Sequence, residues 1–323
     1  MKALGVLATD QGFIVPSLVV ARQVRFHQCD VAPDLKIYLS DFTDEEFEIV
    51  RPIGDRYDVE FVRVSTDILK VDEKLVAHFD RGISPTALMR LAIADILPDH
   101  YDNIVYLDGD MQILGTLDPL FGTAPPEDRI AAAPETYVIL REKDGSPRQW
   151  VLDYLDTLGL EKETQYFNSG MLSFRLPVWK ELAPKALSFF RDNADICPNY
   201  DQCALNAVLG GDWAPIHPAF NWNSHFNKLV GEPGFDPRIV HFTSRPKPWS
   251  EGQHEWAPRY YGPYADILAQ HPELSRFLNV RSAPGLMDQA RHIKHTVAGW
   301  NKSLRYKRWI AQYAATQDFH VTP

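Results

Sequence analysis

"YDNIVYLDGDMQILGTLDPLF", residues 101–121, carries a run from Asn103 to Leu107 that reads as a buried strand and ends in Asp108-Gly109-Asp110. Asp-Gly is a strong turn signal, because glycine takes positive φ without strain and aspartate caps its own backbone. Two carboxylates at i and i+2 can also reach one hard cation, and an oxygen-rich set suits Mg²⁺ or Mn²⁺. On this stretch alone, turn and site both fit.

The residues before it set the fold. "ALGVLA" (3–8) reads as a strand and "FIVPSLVVARQVRFH" (13–27) as a helix with Pro16 in its first turn. "LKIYLSD" (35–41) is a strand, "TDEEFEIV" (43–50) a short helix with an acidic start, and "VEFVRVS" (59–65) a strand again. "SPTALMRLAIADILP" (84–98) reads as a helix with Ser84 as N-cap, Pro85 at its first position and Pro98 beyond its end. Strand and helix alternate, which predicts a doubly wound parallel sheet over the first 110 residues. Ligands of such sheets bind outside the carboxyl ends of the strands. Asp10, Asp108 and Asp110 all follow strands at that edge. There is no G-x-G-x-x-G and no Walker loop, so the predicted ligand is one that brings its own need for a cation, such as a diphosphate. Arg90 and Asp95 are the only charges between Ser84 and Pro98. Arg90 can lie on the surface with its stem on apolar neighbours, or point at the acidic edge and hold an Asp or a phosphate.

Composition narrows the class. Of 323 residues, 45% are hydrophobic, enough for a real core. The net charge of −10 argues against a general nucleic-acid binder. Between Leu286 and Ile310, however, six cations (Arg291, Lys294, Lys302, Arg305, Lys307, Arg308) face one acid, Asp288; that local +5 leaves −15 for the rest. Cys29, Cys197 and Cys203 form no disulfide framework or zinc motif, which points to a reducing compartment. "MKALGVLATD" is too short an apolar stretch for a signal peptide, and no run reaches the ~18 apolar residues of a membrane span. The expectation is a soluble, cytoplasmic protein, at most attached to a surface.

The second half adds three blocks. "TQYFNSGMLSFRL" (164–176) reads as strand, polar interruption, strand, with Asn168-Ser169-Gly170 where a backbone must come close to something. "YDQCALNAVLGG" (200–211) reads as a helix with Asp201 as N-cap and Gly210-Gly211 at its close. "RIVHFTSRPKPW" (238–249) reads as a strand ending in His241, followed by a proline-fixed loop with Lys247.

YLDGD, FNSGML, DQCALN and HFTSRPKPW, in that order and at these distances over residues 3 to 250, resemble the family 8 glycosyltransferases. These are retaining, metal-dependent sugar transferases of the GT-A fold, among them glycogenin-like enzymes and bacterial lipopolysaccharide galactosyl- and glucosyltransferases. The resemblance implies an α/β GT-A fold, a Rossmann-like mixed sheet flanked by helices, in a catalytic domain over 1–275 with a basic, aromatic helical extension over 276–323. It implies that Asp108, Asp110 and His241 hold Mn²⁺, or Mg²⁺ in its place. Lys247 then meets the donor diphosphate and Arg90 lies near the donor sugar and the DxD. Ala8, Thr9 and Asp10 hold uridine, while Gly109 and Ser244 lie beside the donor. Glu135, Asn168, Ser169, Gly170, Asp201 and Gln202 line its sugar. Three positions depart from the pattern: Gly12 replaces a larger polar residue, Ser244 a glycine, and Cys203 stands where some relatives carry a proposed nucleophilic aspartate. The expected activity is transfer of galactose or glucose from UDP to an oligosaccharide or lipid-linked glycan. With neutral Gln202 at the anomeric position, front-face retention is expected, Gln202 stabilising positive charge through its amide oxygen. The reading from a different class is a sugar-nucleotide-binding scaffold or sensor without turnover; a metal-dependent phosphohydrolase would want further acids or histidines for a second metal.

Acceptor pockets are expected from loops such as 137–165, where "REKDGSPRQW" (141–150) reads as a lid with Gly145 and Pro147. In the tail, Leu286, Ala290, Ile293, Val297, Trp300 and Leu304 fall on one helical stripe flanked by cations, interrupted by Gly299 and followed by Tyr306 and Trp309. Such a helix either packs on the body or lies on an anionic membrane through 286–310, at the cytoplasmic face.

Overall fold

The computed structural model describes residues 1–27, 30–69, 85–136, 149–223, 235–243, 247–249, 258–278 and 286–323. Ser84, Ser244, Cys29 and residues 141–148 of the expected lid lie outside the described residues.

The central run of apolar residues in β1 (Ala3–Thr9) is buried throughout, as expected of a strand covered on both faces. Around it lie β2 (Asp34–Ser40), β3 (Glu60–Val64) and β4 (Asn103–Leu107), all parallel. Beyond β4 come β6 (Ala131–Pro134), β7 (Phe167–Phe174) and β8 (Ala214–Pro215), giving the order β3-β2-β1-β4-β7-β6-β8. β7 is antiparallel to both β4 and β6, so the sheet is mixed. A second sheet joins β5 (Met111–Ile113), β10 (Ile239–His241) and β9 (Trp222–Asn223) just past the carboxyl end of β4. One hydrophobic cluster packs on each face of the large sheet, and a third, around Trp222, Val240, Phe242, Tyr260 and Ile310, lies by the small one.

Four local expectations need correction. The helix begun at Thr43 runs as α2 from Asp44 to Tyr57 rather than stopping at Val50. Thr43 and Glu46 form a reciprocal capping box, and the buried face continues through Ile53 and Gly54 despite Pro52. The segment after Ser84 is not one helix but a 3-10 turn (Pro85–Leu88), one α-turn (Met89–Ala92) and another 3-10 turn (Ile93–Asp95). It buries Leu88, Met89, Leu91, Ile93 and Ala94 together with Arg90, and those tertiary contacts override helical propensity. β7 is one strand, and the chain before Phe167 is not part of it. The polar triplet instead marks a shift in the ladder to β6, where pairing jumps from Leu172 to Asn168. Asn199, not Asp201, holds the N-cap position of the helix Tyr200–Leu209, and Asp201 lies inside its first turn. Gly210 closes that helix in the left-handed region at φ 57°, the conformation that suits glycine.

The tail forms one helix, Leu286–Thr316. Ile310 is buried with Tyr306 and Trp309 packed beside it, so its second half sits on the body. Leu286, Ile293, Val297 and Trp300 are 62–84% exposed. After the helix, the chain returns to the large sheet: His217 N–H donates to Val321 O (2.9 Å) and His320 N–H to Pro215 O (2.7 Å). Among the described residues no helix is long and apolar enough to cross a membrane.

Candidate active site

Backbone pairing assembles the site. Asp108 N–H donates to Gly170 O (2.8 Å), tying the end of β4 to β7. Phe242 N–H donates to Asp110 O (2.8 Å), and His241 pairs with Met111 and Asn223 across the small sheet. Two carboxylates from the turn between β4 and β5 and an imidazole from β10 therefore meet. His241 Nε2 lies 3.0 Å from Asp110 Oδ1 and 3.6 Å from Asp108 Oδ2. Among the described residues, Asp108, Asp110 and His241 form a group whose ligand atoms all lie within 4.8 Å of one another.

Each carboxylate gives its other oxygen to a cation. Arg90 Nη2 donates to Asp108 Oδ1 (2.7 Å), which also accepts from the Tyr106 hydroxyl (3.2 Å). Lys247 Nζ donates to Asp110 Oδ2 (2.7 Å) and to the Phe242 carbonyl. Arg90 is 5% exposed, its guanidinium 4.4 Å from the Tyr106 ring centre and its Nε 3.2 Å from Asp201 Oδ2. It is an arginine of the acidic edge, not of the surface. Burial opposes its charge, but Asp108 and Asp201 outweigh that and raise its pKa. The aspartates are driven apart. Burial, against the pull of Arg90, pushes Asp108 up to about 6. Burial would raise Asp110 as well, but Lys247 and His241 overcome it and hold that carboxyl well below its ordinary range. Burial also raises Asp201, against Arg90. The Arg90 N–H groups are not aimed at Asp201 Oδ2, and that oxygen, buried, accepts no hydrogen bond among the described residues.

Beside the cluster lies a net of amides. Glu135 accepts from Thr136 N–H (2.8 Å), Asn223 Nδ2 (2.6 Å), Asn168 Nδ2 (2.8 Å) and Gln202 Nε2 (3.2 Å). Gln202 Oε1 accepts from Ser169 N–H (3.2 Å), and Asn221 joins Asn168 to His241. Gly170 makes room: a Cβ there would stand 2.3 Å from His241 Cε1 and 2.8 Å from Asp108 Oδ2. Gly109 does the same against α1 (Ile14–Phe26), where a Cβ would meet Ser17 Oγ at 2.5 Å.

The structure thus brings together Arg90, Asp108, Gly109, Asp110, Glu135, Asn168, Ser169, Gly170, Asp201, Gln202, His241 and Lys247. Ala8 and Thr9 end β1, next to β4 in the sheet, and Asp10 follows them. Asp10 shares that edge but has no hydrogen bond or ion pair to the cluster among the described residues. Sequence reasoning missed Tyr106, Asn221 and Asn223. The alternation of amide and aromatic in "FNWN" (220–223) was the available signal for the last two.

The mixed sheet thus carries Asp108 and Asp110 at the carboxyl end of β4, faced by a histidine from a second, small sheet. The chain belongs to glycosyl transferase family 8, whose model matches residues 6–253. It is 22% identical to glycosyltransferase GlyF of Streptococcus pneumoniae serotype 4, over 99% of this chain and 75% of that protein. It is 24% identical to the lipopolysaccharide 1,3-galactosyltransferase of Salmonella typhimurium, over 67% of this chain and 65% of that one. In three dimensions it resembles the galactosyltransferase LgtC, solved with donor and acceptor sugar analogues. The TM-score is 0.68 at 20% identity, covering 84% of this chain and 99% of LgtC.

Proposed function

We propose that this family 8 transferase moves a hexose, galactose or glucose, from UDP to a glycan acceptor with retention, and that Asp108, Asp110 and His241 hold the Mn²⁺ (or Mg²⁺) this requires. The observation that carries the reading is the convergence of Asp108 Oδ2, Asp110 Oδ1 and His241 Nε2, while Arg90 and Lys247 occupy the opposite carboxylate oxygens. Two carboxylates and an imidazole suit such an ion. When bound, it supplies Lewis-acid charge to the departing diphosphate. Lys247 adds a fixed cation to the leaving group, in the role of a preorganised electrostatic stabiliser. Asp201 Oδ2, buried without a hydrogen-bond donor among the described residues, suits a sugar hydroxyl. Asn168, Ser169, Gly170 and Glu135 form the wall of the sugar pocket; Ala8, Thr9 and Asp10 take the nucleoside, with Gly109 and Ser244 beside the phosphates. Gln202, pinned between Ser169 N–H and Glu135, presents its amide oxygen to the positive anomeric carbon while the acceptor hydroxyl passes its proton to the departing phosphate oxygen. That front-face route leaves no sugar on the enzyme. A sugar-bearing peptide found by mass spectrometry after turnover of a slow donor would overturn it.

The test of the donor site is a thermal-shift panel of UDP, UDP-galactose, UDP-glucose and GDP-mannose, with Mn²⁺ and with EDTA. Ligand at a hundredfold excess over its Kd stabilises by about 2.7 kcal/mol. UDP compounds should stabilise with Mn²⁺ only; no shift with metal would remove the reading's support.

For the tail, we propose a catalytic domain over 1–275 and an extension over 276–323 whose helix, through the exposed side chains within 286–310, rests on an anionic, cytoplasmic-facing membrane surface and presents a lipid-linked or lipopolysaccharide acceptor. The exposed Leu286, Ile293, Val297 and Trp300, with Lys294 also exposed, support it. The lipopolysaccharide galactosyltransferase among the relatives supports the acceptor class. Replacing Ile293, Val297 and Trp300 with serine should abolish sedimentation with phosphatidylserine vesicles at unchanged melting temperature; retained sedimentation would count against the membrane.

A further inference from the structure

Asn221 lies between the proposed metal ligands and the amide net, 4% exposed, where the 3-10 turn Pro218–Phe220 passes into β9. Its Oδ1 is 3.0 Å from His241 Nδ1, and its Nδ2 donates to Asn168 Oδ1 at 2.9 Å. We infer that Asn221 is a positioning residue. It accepts a hydrogen bond from His241 Nδ1–H and so leaves the Nε2 electron pair free for an ion held with Asp108 and Asp110. The inference rests on the metal reading above and adds to it the group that sets the ligand's tautomer.

The direction of the relay follows from its far end. Glu135 Oε2 accepts from Asn168, which must therefore turn its Nδ2 toward the carboxylate. Gly170 N–H can only donate, and it donates to Asn168 Oδ1 (3.0 Å), so the same orientation is demanded twice. Asn168 Oδ1 then faces Asn221 and requires a donor there, which leaves Asn221 Oδ1 for His241. An oxygen at that place requires a proton on Nδ1. The opposite tautomer would set two acceptors against each other in a buried site, and turning Asn221 over would repeat the conflict at Asn168. Glu135 thereby orients a ring it does not touch, through Asn168 and Asn221. A histidine that binds metal through one nitrogen commonly has the other fixed in this way.

Asn221 also has a purely structural task available, since its own N–H closes the turn onto Pro218 O (3.2 Å). Two substitutions separate the roles. Asn221→Leu keeps the branching and the number of side-chain heavy atoms and removes the acceptor; Asn221→Asp keeps an acceptor toward His241 but loses the donor toward Asn168. The measurement is titration of the full chain with Mn²⁺ alone, free ion read by electron paramagnetic resonance, alongside melting temperature. Asn221→Leu should bind Mn²⁺ about 10–100-fold more weakly, whereas Asn221→Asp should keep most of the affinity even if it melts earlier. Equal affinity in Asn221→Leu, or affinity that simply follows melting temperature in both, overturns the inference. Should Asn221→Leu fail to fold, ¹⁵N-histidine spectra of the wild-type Mg²⁺ complex decide. A proton on Nδ1 of His241, identified by its loss in His241→Gln, supports the relay; a proton on Nε2 overturns it. A wild type that binds neither ion overturns the metal reading itself, a result distinct from a bound ion indifferent to Asn221.

Discussion

Asp110→Asn is expected to lower turnover on the order of 10³-fold, the scale seen when a preorganised charge is removed from a transition state, and to leave UDP compounds unable to stabilise the protein with Mn²⁺. Asparagine matches the shape of aspartate, so the change removes charge without opening a cavity. The loss is doubled by geometry. Asp110 Oδ1 faces His241 Nε2 at 3.0 Å, while Oδ2 holds Lys247 at 2.7 Å. One substitution thus weakens the proposed seat of the ion and releases the cation proposed to meet the leaving group. Turnover is measured with saturating donor, and binding by the melting shift. Activity within threefold of wild type in excess Mn²⁺ would show that Asp110 is not a ligand. Asp108 should also set a pH limit. With Asp108 raised to about 6, protons compete for its carboxylate below that pH, so metal affinity should fall there.

Gly170→Ala should be nearly as damaging, although it adds one methyl group and removes no charge. The new Cβ would lie 2.3 Å from His241 Cε1, 2.7 Å from its Nδ1 and 2.8 Å from Asp108 Oδ2. None of these can move cheaply. His241 is held by Asn221, and Asp108 by Arg90 and Tyr106. Overpacking of this kind costs about 1–3 kcal/mol of stability, and the displaced ligands should weaken Mn²⁺ binding by about 10–100-fold. Gly262→Ala is the matched control: it lies in the helix Pro258–Gln270, and its Cβ would meet nothing within 4 Å. It should leave metal affinity unchanged, and because Pro263 follows it in the helix no gain in stability from helix propensity is expected. Wild-type Mn²⁺ affinity in Gly170→Ala would mean that the ion does not sit between His241 and Asp108.

The sequence by itself determined the alternation that makes the sheet, the edge at which Asp108 and Asp110 emerge, and the blocks that carry the family resemblance. These are local properties. A run of apolar residues, a proline in a first helical turn or a glycine at Gly210 acts within a few positions, and period and punctuation expose it. The sequence could not decide what Arg90 and Asp201 do, because a lone charge on an apolar helix and an acid near a helix start each have ordinary local roles. Only the tertiary structure joined Arg90 to Asp108, 18 positions on, and brought it 3.2 Å from Asp201 across more than a hundred residues. The same holds for Tyr106, Asn221 and Asn223. Their function lies in which oxygen faces which nitrogen, and hydrogen bonds between distant strands leave no period in the chain. Buried polar groups must find partners wherever the fold places them, so the tertiary structure alone decides which they find.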